Sequence, residues 1–232
     1  MHITEGFLPI EWAIAWLAVA LVIVAYGVYR LSSLTKKIPE AKPLLALMGA
    51  FIFILSALKL PSITGMSSSH PTGTGLSAVI LGPGITSVLS TIVLIFQALL
   101  LAHGGLTTLG ANVFSMGIVG PLVAFGIWIA AKKTRLPTPV GIFLATALGD
   151  LSTYVVTSVQ LALVYPTAGG FLDAFATFGT IFAVTQIPLA IGEGILAIFL
   201  FDFLAKYKGQ LLGTLKVIKI NVGTTQKQEA ES

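Results

Sequence analysis

Three histidines, His2, His70 and His103, are the only imidazoles in a 232-residue chain that has no cysteine. Without thiols there is no disulfide scaffold, thiolate zinc site, iron–sulfur cluster or cysteine nucleophile. Imidazole nitrogen remains as the ligand chemistry, and it suits late divalent transition metals. His2 stands in Met1-His2-Ile3-Thr4-Glu5-Gly6-Phe7-Leu8-Pro9. Its position lets the Met1 α-amine, the His2 amide nitrogen and the His2 ring wrap one ion in fused chelate rings. A fourth nitrogen would complete a square plane, the geometry of Ni(II), Cu(II) and related ions. A solvent-exposed residue at a frayed chain end would read the same way.

His70 lies in the polar stretch Ser67-Ser68-Ser69-His70-Pro71-Thr72-Gly73-Thr74-Gly75. A residue before proline is biased toward extended backbone, which could hold its ring at a fixed angle. His70 is the natural fourth ligand; a loop histidine that only hydrogen-bonds, beside serines that cap helices, is the alternative. His103 opens His103-Gly104-Gly105-Leu106-Thr107-Thr108-Leu109-Gly110-Ala111-Asn112. It either gates the site or sits in a turn that needs glycine at positive φ. Glu5, Ser69, Thr107 and Asn112 are candidates to support or gate the same site. Two acids, Asp150 and Glu193, interrupt apolar runs, where charge is expensive and marks function by default. They read as a proton relay or as partners of Thr, Ser or Tyr hydroxyls.

The elements that must position these residues are membrane helices. The chain is 56% hydrophobic and 9% charged, with a mean hydropathy of +0.97, against roughly 25% charged in soluble domains. Apolar runs fall at 10–31, 44–58, 75–81, 85–102, 113–131, 140–164 and 180–204. They lack the alternation of outer-membrane strands, so the expected class is an all-α polytopic membrane protein. With 24 glycines and 11 prolines, a bundle of plain straight helices is not expected.

Arg30, Lys36, Lys37 and Lys42 follow the first run; Lys132, Lys133 and Arg135 form a second cluster; Lys206, Lys208, Lys216, Lys219 and Lys227 lie near the C-terminus. Lys- and Arg-rich short loops stay cytoplasmic, which places the N-terminus outside and the C-terminus inside. The net charge of +4 therefore reads as orientation rather than nucleic-acid binding. An odd number of crossings must separate the outer loop near Lys59 from the inner loop at 132–139. The run at 75–81 must then count as a short crossing buried within the protein, for seven transmembrane helices in all. The expected organisation is one transmembrane metal-binding domain, 1–205, and a partly disordered cytoplasmic polar tail, 206–232. No signal peptide is expected, because Glu5 and Glu11 stand where a basic segment would. Small residues spaced by four (Ala46 and Ala50, Gly141 and Ala145, Ala145 and Gly149) would let helices approach closely. No phosphate-binding loop is present, so no nucleotide is expected on this chain.

Met-His-Ile-x-Glu-Gly-Phe-Leu-Pro at the start, Ser68 to Leu76, Ala102 to Asn112 and Gly149-Asp150 resemble the CbiM/NikM family. These are the substrate-binding S-components of energy-coupling factor (ECF) cobalt and nickel transporters. The likeness covers roughly residues 1–205, and the Ser-His-Pro-Thr-Gly-Thr-Gly form looks more like the cobalt branch. The resemblance implies a seven-helix bundle with its outer N-terminus threaded inward. It implies a metal held by the Met1 amine, the His2 amide and imidazole, and the His70 imidazole. It also implies uptake of Co(II) for cobalamin synthesis (Ni(II) being the alternative), across a prokaryotic plasma membrane. The partners implied are a transmembrane coupling protein, ATPase subunits that hydrolyse the ATP, and a small auxiliary membrane protein. Metal binding is expected to weaken below about pH 6 as imidazole protonates.

Overall fold

The computed structural model describes residues 2–61 and 65–218. Helix α1, Ile10–Lys37, begins after Pro9, carries Glu11 in its first turn and Lys36 and Lys37 in its last, the charge order that the helix dipole favours. A short 3₁₀ turn leads into α2, Lys42–Ala57. The chain then turns extended through β2, Leu60–Pro61, and β3, Ser67–Ser69, before the eight-residue α3, Thr74–Leu81. The strand β1, His2–Ile3, returns from the start of the chain. It pairs antiparallel with β3, which lies between it and β2.

Helix α4, Pro83–Leu101, follows a glycine at φ 84°. A continuous helical run then comprises α5, Leu109–Asn112, a π turn, Val113–Val119, and α6, Gly120–Lys133. Pro121 cannot donate a backbone hydrogen bond to the turn before it. The wider π turn re-pairs the neighbouring groups, with the Gly120 N–H reaching the Ser115 carbonyl. Helices α7, Thr138–Val164, and α8, Phe171–Thr214, complete the bundle.

Six helices among the described residues are long and apolar enough to cross a membrane. The run expected at 75–81 is α3, every residue of which is buried. At 1.5 Å per residue it rises about 12 Å, under half a bilayer core. It is a half-helix inside protein rather than a seventh full span. The chain nevertheless passes from one end of the bundle to the other here. Lys59 donates to the Leu101 and Ala102 carbonyls beside His103, whereas Leu81 and Gly82 share a pocket with Arg30, Lys37 and Lys132.

The last helix departs from the expected domain boundary. It runs to Thr214, interrupted at Lys208 (φ −132°, ψ 27°). Leu212 and Val217 pack into the core at the basic end. The bundle thus extends past 205, and the rest of the expected tail, 219–232, lies outside the described residues.

Burial runs opposite to a soluble protein. Large apolar side chains face outward along the helices, as at Val22, Val184, Leu100 and Leu172, while Thr72, Asp150, Gln160, Gln186 and Glu193 are buried. Close helix approach relies on small residues. The buried residues of α1 are Ala13, Ala20 and Gly27, seven apart. A Cβ on Gly27 would collide with α4 at Ser87 and Val88. Gly141 and Gly149 of α7 play the same part against Trp128 and Ala124 of α6.

Candidate metal centre

The Thr4 N–H donates to the Met66 carbonyl at 2.9 Å, and the pairing puts His2 opposite Ser68. An antiparallel ladder alternates its hydrogen-bonding direction at each residue. The His2 N–H therefore faces Ser68, and the Ile3 N–H faces the other way. There Asn112 Oδ1 accepts the Ile3 N–H at 2.7 Å, and Asn112 Nδ2 donates to the Ile3 carbonyl at 3.0 Å. The Thr108 hydroxyl donates to that carbonyl as well, at 2.9 Å. Glu5 accepts hydrogen bonds from the backbone and hydroxyl of Thr107, and its N–H reaches the Gly104 carbonyl. Asn112 and Thr107 thus hold the N-terminal strand by its backbone and by Glu5.

Seating β1 buries His2 against the other two histidines. The ligand-capable nitrogens of His2, His70 and His103 lie within 4.8 Å of one another. The His2 and His70 rings are 4.2 Å apart at 33°, and His103 stands edge-on to both. His2 Nδ1 is 2.9 Å from His103 Nε2, which is also 2.8 Å from Ser68 Oγ. The first contact is a hydrogen bond between two rings, one nitrogen carrying the proton and the other accepting it.

One tautomer follows from chemistry. Pro71 O can only accept, so His70 Nδ1 carries the proton in their 2.9 Å hydrogen bond. The lone pair of His70 is then on Nε2, which has no protein partner. His2 Nε2 and His103 Nδ1 are likewise unpartnered.

Burial disfavours the charged form of each ring. It holds His2 and His70 well below the usual histidine range, reinforced at His2 by the neighbouring imidazoles. His103 is pulled down to about 3, by burial first and by Lys59 second. The cluster is therefore three neutral imidazoles at neutral pH, with lone pairs available to a cation.

The candidates distribute unevenly. His2 and His70 come together, and Met1 lies outside the described residues. His103, expected to gate the site, is within the cluster itself. Ser69 turns away and accepts a hydrogen bond from Thr185 at 2.8 Å, because successive strand residues point to opposite faces. Ser68 is the serine that reaches a histidine, and only the strand register reveals it.

The intramembrane acids pair rather than float. Gln186 Nε2 donates to Asp150 Oδ2 at 2.7 Å and to the His70 carbonyl at 3.1 Å. Glu193 accepts from the N–H groups of Thr72 and Gly73, at 2.5 and 3.0 Å, and from the Thr72 hydroxyl. Gln186 was not singled out by sequence; a lone amide in an apolar run was its only signal.

The family described as the cobalt uptake substrate-specific transmembrane region, CbiM, matches residues 2–211. The cobalt transport protein CbiM of Carboxydothermus hydrogenoformans is 59% identical over 208 residues, 90% of this chain and 84% of that protein. That of a Nostoc species is 55% identical over 231 residues, 99% of this chain and 87% of that protein. Among solved structures, a truncated transition metal transporter aligns with a TM-score of 0.74 at 25% identity, covering 88% of this chain and 99% of that one. The family match over residues 2–211 and these relatives show that the chain belongs to the CbiM family of cobalt-uptake membrane proteins.

Proposed function

We propose that this chain is the substrate-specific subunit of an ATP-driven energy-coupling importer. It captures Co(II) at the outer face of a prokaryotic plasma membrane and delivers it inward for cobalamin synthesis. The observation that carries this reading is the convergence of three buried, neutral imidazoles on a seated N-terminal strand. The ligands are the Met1 amine, the His2 amide and Nδ1, and His70 Nε2. An arriving ion displaces His103 Nε2 from His2 Nδ1, which makes His103 the gate. The His2 amide gives up its proton and its place on the strand ladder as it binds.

An all-nitrogen site disfavours Mg(II) and Ca(II), which take oxygen ligands. Co(II) and Ni(II) are not separated by affinity, since the Irving–Williams order favours nickel; selection rests on geometry. The kinship with cobalt transport proteins favours Co(II), with Ni(II) the alternative cargo. A transmembrane coupling protein, ATPase subunits and a small auxiliary membrane protein supply the energy and complete the assembly.

The test is elemental analysis of protein purified with its native terminus. One Co(II) per chain is expected, lost in His2→Ala and in a variant carrying one extra residue before Met1, both still folded. Normal affinity in the extended variant would refute the terminal chelate. Uptake by this chain alone, driven by a pH gradient, would refute the subunit role.

A further inference from the structure

Glu193 sits on α8 far from His70 in sequence, yet one peptide unit joins them. His70 Nδ1 donates to the Pro71 carbonyl. The N–H of that same planar unit belongs to Thr72 and donates to Glu193 Oε2 at 2.5 Å. The peptide bond is rigid, so the Glu193 carboxyl group on one edge sets where the carbonyl on the other edge points. The carbonyl sets the plane of the His70 ring and holds its proton on Nδ1. A hydrogen bond on the N–H side also polarises the carbonyl and strengthens what it accepts. Metal-binding histidines usually hand their second nitrogen to a carboxylate or carbonyl, which fixes the tautomer and raises donor strength. Here the carboxyl group acts through a carbonyl.

The segment is held at further points. Glu193 Oε1 takes the Gly73 N–H, and Gln186, anchored on Asp150, takes the carbonyl of His70 itself. Gln186 and Glu193 are seven residues apart on α8, two helical turns and one face. Gly73 has φ 69°, and a Cβ there would stand 3.0 Å from Ile52 Cα. The loop therefore has little room to settle elsewhere.

We propose that Glu193 is a positioning residue for metal binding. Acting through the Pro71–Thr72 peptide, it orients the His70 ring and presents Nε2 to the ion, with Asp150 and Gln186 as the second anchor. The inference rests on the reading of His70 as a metal ligand. Glu193→Gln keeps the volume but leaves one acceptor oxygen for two backbone N–H groups. Glu193→Asp keeps the acid but withdraws it from the peptide.

The experiment titrates Co(II) into the purified full chain with its native terminus and records the Co(II) absorption spectrum. Wild type is expected to bind one ion. E193Q is expected to bind one ion with a dissociation constant about 10- to 100-fold higher and an altered spectrum. Added to His70→Ala, it should cause no further loss, because the relay then has nothing to orient. If E193Q does not yield folded protein, E193D carries the same expectation. Wild-type affinity and spectrum in the folded fraction of either variant would overturn the proposal and leave Glu193 a purely structural role. Equal losses with and without His70 would overturn it too. A wild-type chain that takes up no Co(II) would instead overturn the functional reading, and this inference with it.

Discussion

Asn112 is where the seating of the N-terminal strand can be weighed. Its side chain takes both the N–H and the C=O of Ile3, at 2.7 and 3.0 Å, in a position 1% exposed. In Asn112→Ala the Ile3 carbonyl keeps its bond from Thr108, but the Ile3 N–H loses its side-chain partner. Leaving a buried donor unsatisfied costs about 1–3 kcal/mol. At 1.4 kcal/mol per tenfold, the seated population falls about 5- to 150-fold relative to the unseated one. Thr108→Val is expected to cost less, about 0.5–1.5 kcal/mol, since Asn112 still serves the carbonyl. If only the seated form binds metal, the apparent dissociation constant rises as the seated fraction falls. A strand with seating stability to spare would show the loss first in exchange rather than in affinity. Hydrogen–deuterium exchange at residues 2–4, beside Co(II) titration, reads both. Asn112→Ala with wild-type exchange and wild-type affinity would refute the claim that Asn112 seats the strand.

The metal-free protein is expected to lose stability in acid. An unfolded histidine takes its proton near pH 6.5, whereas His103 resists until about 3. Its contribution is therefore complete above pH 6.5 and is lost as pH falls toward 3. Tm measured from pH 7 to 4 should fall, less steeply in His103→Gln; identical slopes would contradict it. Burial of all three rings takes imidazole protonation out of the competition with metal, so the loss of Co(II) affinity in acid should follow the α-amine and amide protons of the proposed ligand set; a loss that tracks an ordinary imidazole near pH 6.5 would contradict it. Gly75→Ala would place a Cβ 2.7 Å from Thr146 Cα. Thermal denaturation should register about 1–3 kcal/mol of overpacking, and an unchanged Tm would show that α3 and α7 are less tightly apposed.

Much of this architecture was legible in sequence because lipid imposes simple rules. Runs of apolar residues marked the long helices, and the short run at 75–81 is the buried half-helix α3. The helix beyond Leu204 was not legible: Lys206, Tyr207 and Lys208 read as tail, although Leu212 packs inward after the break at Lys208. The π turn after Asn112 leaves no pattern in hydropathy at all. Within the site, His2 and His70 stood out by chemistry and position. His103 was less plain because its glycine-rich surroundings also spell a turn, and Ala102, at φ 45°, does turn the chain there. Ser68 and Ser69 are indistinguishable until the strand register separates their faces. Asp150 and Glu193 were visible as anomalies, but their partners lie in a loop more than a hundred residues earlier in the case of Glu193.

His2 and His103 are 101 residues apart in the chain, and Asn112 lies 109 beyond Ile3. Closing so long a loop is slow compared with forming helices. The His2–Ile3 strand therefore meets these partners only after α1 through α5 are made. No N-terminal fragment that ends before His103 can assemble the three-ring cluster, and none that ends before Asn112 can clamp Ile3 through that side chain.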